Sequence, residues 1–164
     1  MGLFTRKVWL LLTATWAGLI FDLSRAPYSS ASSARFISMV LDWLSIAILS
    51  RNLGLLNNLL RKSAHLMEYA VLAVFLYNSL KPAGNPRWSR KAACWALLAS
   101  GSYSITDELH QLFVLGRHAS LFDCLIDTTG AFLGLLLLSR AFVTLQRKQT
   151  GVVAKTAQAF NETG

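Results

Sequence analysis

SITDELHQLFVLGRHASLFDCLIDTTGAFLG, residues 104–134, decides how the rest of the chain is read. An apolar helix runs straight into Asp107, Glu108, His110 and Gln111. A short loop then carries Arg117 and His118, and apolar sequence resumes around Asp123 and Asp127. Ionisable side chains this dense are costly beside hydrocarbon. In a membrane protein they mark either a functional site or a set of charges paired between helices.

The surrounding composition makes the membrane setting the expected one. The 164 residues are 54% hydrophobic and only 15% charged, with a mean hydropathy of +0.43, whereas a soluble domain carries about 25% charge. The net charge of +8 is not the footprint of a nucleic-acid-binding protein. That reading needs a basic stripe or a binding motif on a soluble fold, and the cations here sit in short segments between apolar runs. Cys94 and Cys124 both lie within apolar segments without CxxC spacing, so neither a disulfide framework nor a zinc site is expected.

Working outward gives an all-α fold: a polytopic membrane helix bundle of four transmembrane helices with an additional helix between the first and second. The first span is 8–23, preceded by Arg6 and Lys7. It has no small-x-small cleavage pattern after a short core, so it reads as an uncleaved anchor. Its sixteen residues are short against the ~20 needed to cross the hydrocarbon, so the flanking cations and Trp9 must serve as interfacial anchors. The serine-rich 24–34 reads as a loop. In 35–60, Phe36, Met39, Val40, Trp43, Leu44, Ala47 and Ile48 recur at helical spacing opposite Arg35, Ser38, Asp42, Ser45 and Asn52. That pattern is amphipathic or re-entrant, with a fifth span as the alternative. The second span is 64–80, ended by a loop with Lys81, Pro82, Gly84 and Pro86. The third is 92–112 and the fourth is 121–139. Residues 1–145 form the transmembrane domain, and 146–164 a basic tail expected to lack regular structure.

The cations orient the spans. Arg6, Lys7, Lys81, Arg87, Arg90, Lys91, Arg140, Arg147, Lys148 and Lys155 fall on one side, and Arg25, Arg35, Arg51, Arg61, Lys62 and Arg117 on the other. Ten against six puts both termini in the cytoplasm, in a bacterial inner membrane. The start of span two, the end of span three and the start of span four then meet at the outer interface. Lys62, His65 and Tyr69 share a face at i, i+3 and i+7 with Glu68 beside them, opposite Asp107 or Glu108 with Gln111, and Asp123 with Asp127.

The residue types define the chemistry at stake. His65, Glu108 and Asp107 are candidates for general acid or base work. Lys62 and Arg117 suit anions, Arg117 through a bidentate guanidinium, and Tyr69, Gln111, Asp123 and Asp127 complete a ligand-binding set. The structural reading stands beside it. His65 can be a hydrogen-bonded interfacial residue, Asp107 and Glu108 can bridge to Lys62 and Arg117, and Arg117 can pair with Asp123. HExxH spacing is lacking, so no metal and no cofactor is expected. Ser63 and Ser120 lie near the cluster, but no nucleophile-elbow motif surrounds them. Gly130, Ala131 and Gly134 form a small-residue face suited to helix packing.

RKSAHLMEYAVL, 61–72, and DELHQLFVLGRHASLFDCLIDTTGAFLG, 107–134, resemble the VanZ-like membrane proteins. The first has that family's Lys-x-x-His-x-x-x-Tyr block, and the second its Asp-Glu, Gln, Arg, Asp and Gly block. Asp127 falls where many members carry Asn, and Leu115 where proline is frequent. The resemblance implies an integral membrane protein of the kind linked to teicoplanin resistance. Two functions are in view. One is engagement of a lipid headgroup, a cell-wall precursor or a lipophilic glycopeptide at the outer interface. The other is a membrane-embedded hydrolase or transferase acting on a lipid-linked substrate. Membrane lipids are the expected partners and nucleic acid is not; the sequence leaves oligomeric state open.

Overall fold

The computed structural model describes residues 2–24, 39, 53–82, 87–113 and 120–162. These residues form four long helices and no strand: α1 (Gly2–Leu23), α2 (Leu53–Leu80), α3 (Arg90–Gln111) and α4 (Leu121–Glu162). Three of the helix ends follow from local chemistry. Ser89, extended at φ −105° and ψ 103°, accepts from the Ala92 N–H and caps α3. At the far end the Phe113 N–H bonds the His110 carbonyl at 3.0 Å, tightening the last turn. Ser120 opens α4: its hydroxyl accepts from the Phe122 N–H, and Asp123 sits in the first turn, where a carboxylate complements the helix dipole.

α2 touches each of the other three helices and meets α4 most extensively. Two glycines explain that closeness. A Cβ on Gly130 would collide with the Leu66 carbonyl, and one on Gly134 would lie 2.5 Å from the Ala70 carbonyl oxygen. The small-residue face expected on the fourth span is therefore where the α2 backbone rests. Away from the polar end, Tyr77 stacks on Trp88 at 4.4 Å with Phe142 edge-on to both. The Lys81 ammonium lies 4.2 Å from the Phe142 ring centre, and burial lowers its pKa. α1 is tied in by two long-range hydrogen bonds. The Trp16 indole donates to the Glu68 carbonyl at 2.9 Å, and the Tyr103 hydroxyl donates to the Ala17 carbonyl at 2.6 Å.

Polar side chains share the interior with an apolar core of Ile20, Tyr69, Leu72, Ala73, Tyr77 and Leu135, while many large apolar side chains lie on the outside. Ser24, Asn57, Ser100, Ser104, Asp107, Glu108, Gln111 and Asp127 are buried, while Leu11, Leu19, Leu98, Ile105, Leu125, Phe132 and Leu137 are exposed. By length and composition one described stretch, Leu121–Lys148 within α4, is long and apolar enough to cross a membrane, with a mean hydropathy of 1.8. The other helices are diluted by polar residues: Asn57, Asn58, Arg61, Lys62, His65 and Glu68 in α2, and Ser100, Ser102, Ser104 and Thr106 in α3.

Two boundaries differ from the sequence expectation. Residues 53–60, assigned to the separate amphipathic helix, are the first turns of α2 and continuous with the second span; Asn57 is buried there, which gives this polar residue an inward position. The remainder of 35–52 lies outside the described residues except Met39, which is helical and exposed. The helix of α4 also runs on to Glu162, through the segment expected to be an irregular tail.

Candidate functional site

α3 supplies the spine of the site. Its buried residues are Ala92, Ala96, Ser100, Ser104, Asp107, Glu108 and Gln111, one stripe at helical spacing that changes from methyl to hydroxyl to carboxylate along its length. The polar end of that stripe meets the first turns of α4 and the middle of α2. The contacts that join them run across helices rather than along them.

Asp123 of α4 is the outermost anchor. Its Oδ1 accepts from Lys62 Nζ at 2.6 Å, and its Oδ2 lies 3.9 Å from the Arg61 guanidinium. One turn further in, Asp127 is fully buried and accepts from the Ser104 hydroxyl at 2.7 Å through Oδ2. Its Oδ1 faces His65 Nδ1 at 3.5 Å, a contact that becomes an ion pair when the imidazole is protonated, and the same nitrogen lies 3.9 Å from Glu68. Asp107 accepts from Ser24 at 2.9 Å and from Gln111 at 3.0 Å, both on Oδ2. Glu108 accepts the Ser120 N–H at 2.7 Å, so a carboxylate from α3 caps the start of α4. Tyr69 is wholly buried, its ring 6.2 Å from that of Tyr103. Among the described residues, its hydroxyl, Asp107 Oδ1 and Asp127 Oδ1 make no hydrogen bond.

A groove opens at this end, lined by Arg61, Lys62, His65, Asp123, Ile126 and Asp127. It encloses about 170 Å³. Cations stand at its rim and carboxylates toward its floor. Asp127 Oδ1 and His65 Nδ1 face each other at 3.5 Å, longer than a proton-transfer hydrogen bond, so the pair is charge-complementary when the imidazole is protonated. Among the described residues no three His, Cys, Asp or Glu side chains converge as ligands for a metal.

Lys62, His65, Tyr69, Asp107, Glu108, Gln111, Asp123 and Asp127 thus gather at one end of the bundle. Arg117, with His118, lies outside the described residues. One pairing differs from expectation. Lys62 does not bridge to Asp107 or Glu108 but to Asp123, because those two α3 carboxylates turn inward to Ser24, Gln111 and the α4 backbone. Sequence reasoning also passed over Arg61, Ser24 and Ser104. Ser104 was detectable as a member of the i, i+4, i+7, i+8, i+11 stripe from Ser100 to Gln111. Ser24 had no such signal, since its place is set by how α1 packs.

No curated protein and no solved structure matches this chain. A family model described as VanZ/LLP1 matches residues 9–144. That span contains all four helices through their packed portions and both polar blocks, 61–72 and 107–134, so the chain belongs to the VanZ/LLP1 family.

Proposed function

We propose that the chain is an integral membrane protein of the cell envelope that engages the polar head of an amphiphile: a lipid, a cell-wall precursor or a lipophilic glycopeptide. In this reading the bundle crosses the cytoplasmic membrane four times with both termini inside, and the polar cluster lies at the outer interface. The observation that carries it is the burial of ionisable groups together with the exposure of large apolar side chains. Asp107, Glu108, Gln111 and Asp127 are buried at one end of a bundle whose outer faces carry exposed leucines and phenylalanines. Lys62 and Arg117 serve anionic groups, and the carboxylates serve amines.

A second reading, a membrane-embedded hydrolase or transferase acting on a lipid-linked substrate, is favoured by one contact. His65 Nδ1 stands 3.5 Å from a fully buried Asp127 carboxylate, which suits an acid–base pair. His65, Glu108 and Asp107 are then the reacting groups. Substrate turnover by the purified protein separates the two.

The site reading as a whole is tested by His65→Ala, Glu108→Gln and Arg117→Lys. Each should abolish protection against a teicoplanin-type lipoglycopeptide, or another envelope phenotype of the host, with membrane abundance near wild type. Abundance and phenotype are measured on the same cells. A phenotype that falls only in step with protein level in all three variants leaves the cluster as a polar clasp between helices.

A further inference from the structure

The rim of the groove carries a contact whose geometry narrows the ligand of the proposed site. Arg61 and Lys62 are adjacent in sequence, yet both reach the same carboxylate, with Lys62 on one oxygen of Asp123 and Arg61 facing the other. The cations are the accessible members of this end, with side-chain exposures of 26% and 37%, against 15% for Asp123 and essentially none for Asp127. An incoming group meets Arg61 and Lys62 first. The 3.9 Å Arg61 contact is at the outer limit of an ion pair, so the guanidinium's planar fork is not committed to a bidentate geometry.

Apolar surface borders the same rim. Leu59 and Leu60 precede Arg61 on α2, and Leu121, Phe122 and Leu125 surround Asp123 on α4, all of them exposed. Lys62 Nζ lies 5.0 Å from the Phe122 ring centre, so the cation and the apolar patch are contiguous. A charged head and a hydrocarbon tail can therefore be served by one stretch of surface.

We propose that Arg61 and Lys62 form a subsite for a phosphate group carried by a membrane amphiphile, and that Asp123 is its built-in occupant, displaced when the phosphate binds. This rests on the headgroup-binding reading above and names its ligand class. A phosphate offers oxygens to both cations at once, which a single carboxylate reaches only by splitting its two oxygens between them.

The assignment makes an unusual demand on Asp123: removing its charge must strengthen binding. The full chain in a nonionic detergent is titrated with dihexanoyl phosphatidic acid, inorganic phosphate and dihexanoyl phosphatidylcholine. Binding is followed by the change in tryptophan fluorescence and by isothermal calorimetry. Arg61→Gln and Lys62→Gln should each weaken phosphatidic acid binding about tenfold, the size of one lost charge-assisted hydrogen bond. Asp123→Asn, nearly isosteric, should tighten it at least about threefold, because an internal competitor is gone. Phosphatidylcholine, whose phosphate is a diester screened by choline, should bind more weakly than phosphatidic acid. Tighter binding of phosphatidic acid than of inorganic phosphate supports the lipid source, and equal affinity overturns it. Asp123→Asn that weakens binding or leaves it unchanged overturns the occupant role. Should that variant not fold, Asp123→Ser must show the same tightening. Failure of wild type to bind either phosphate probe overturns the subsite, while the envelope phenotype of the His65 and Glu108 variants still judges the broader function.

Discussion

Ser104 of α3 donates its hydroxyl to Asp127 of α4 at 2.7 Å, and both residues are fully buried. A carboxylate placed there needs partners, since an unpaired buried polar group costs on the order of 1 to 3 kcal/mol. Ser104→Ala is therefore expected to destabilise the protein by roughly that amount. It should lower the melting temperature in detergent, and Ser104→Thr, which keeps the hydroxyl, should lose less. An unchanged melting temperature for Ser104→Ala would show that Asp127 does not depend on this donor.

Gly130→Ala and Gly134→Ala should each force α2 and α4 apart. The added methyl meets the backbone carbonyl of Leu66 or Ala70 rather than the yielding tip of a side chain. Overpacking of this kind costs about 1 to 3 kcal/mol or more. Gly18→Ala and Gly54→Ala are the controls, because nothing lies within 4 Å of a Cβ at either position. Folded yield after detergent extraction should fall for the first pair and hold for the second. Equal yields across all four would contradict the close α2–α4 approach.

Charge reversal separates two candidate partners of Lys62. Lys62→Asp should be partly rescued by Asp123→Lys, its 2.6 Å partner, and not by Asp107→Lys or Glu108→Lys, whose carboxylates serve other groups. With Lys62 partly solvated, the coupling is expected to be modest, up to about 1 kcal/mol. Thermal stability of single and double variants gives the number; additivity for the Asp123 pair counts against direct contact.

Orientation can be read with two topology reporters, one after Lys148 and one within residues 29–33. Four spans with cytoplasmic termini require opposite-side signals. Signals from the same side would reject that topology and move the polar cluster to the other leaflet or to a different depth.

Much of this was legible in residues 61–72 and 107–134, because side chains that hydrocarbon penalises stand out against apolar sequence wherever they fall. Helical spacing then placed Lys62, His65 and Tyr69 on one face without any knowledge of packing. Partner choice was not legible in the same way. Lys62 meets Asp123 and not Glu108 because the Glu108 carboxylate is taken up by the Ser120 N–H at the start of α4, a contact between helices that spacing along one helix does not encode. The start of α2 also differs: residues 53–60 are grouped in sequence with the amphipathic pattern of 35–52, but they continue into α2 without a break, with Asn57 at an inward-facing position.

The hydrogen bonds made by Trp16 and Tyr103 at α1 have an asymmetry with a bearing on sequence drift. Trp16 and Tyr103 supply the donors, but the acceptors are the main-chain oxygens of Glu68 and Ala17. A main-chain oxygen is present whatever residue occupies the position, so these bonds are exacting at 16 and 103 and make no demand of their own on the side chains at 17 and 68. Those side chains are left to answer to other contacts, Ala17 to the core and Glu68 to His65.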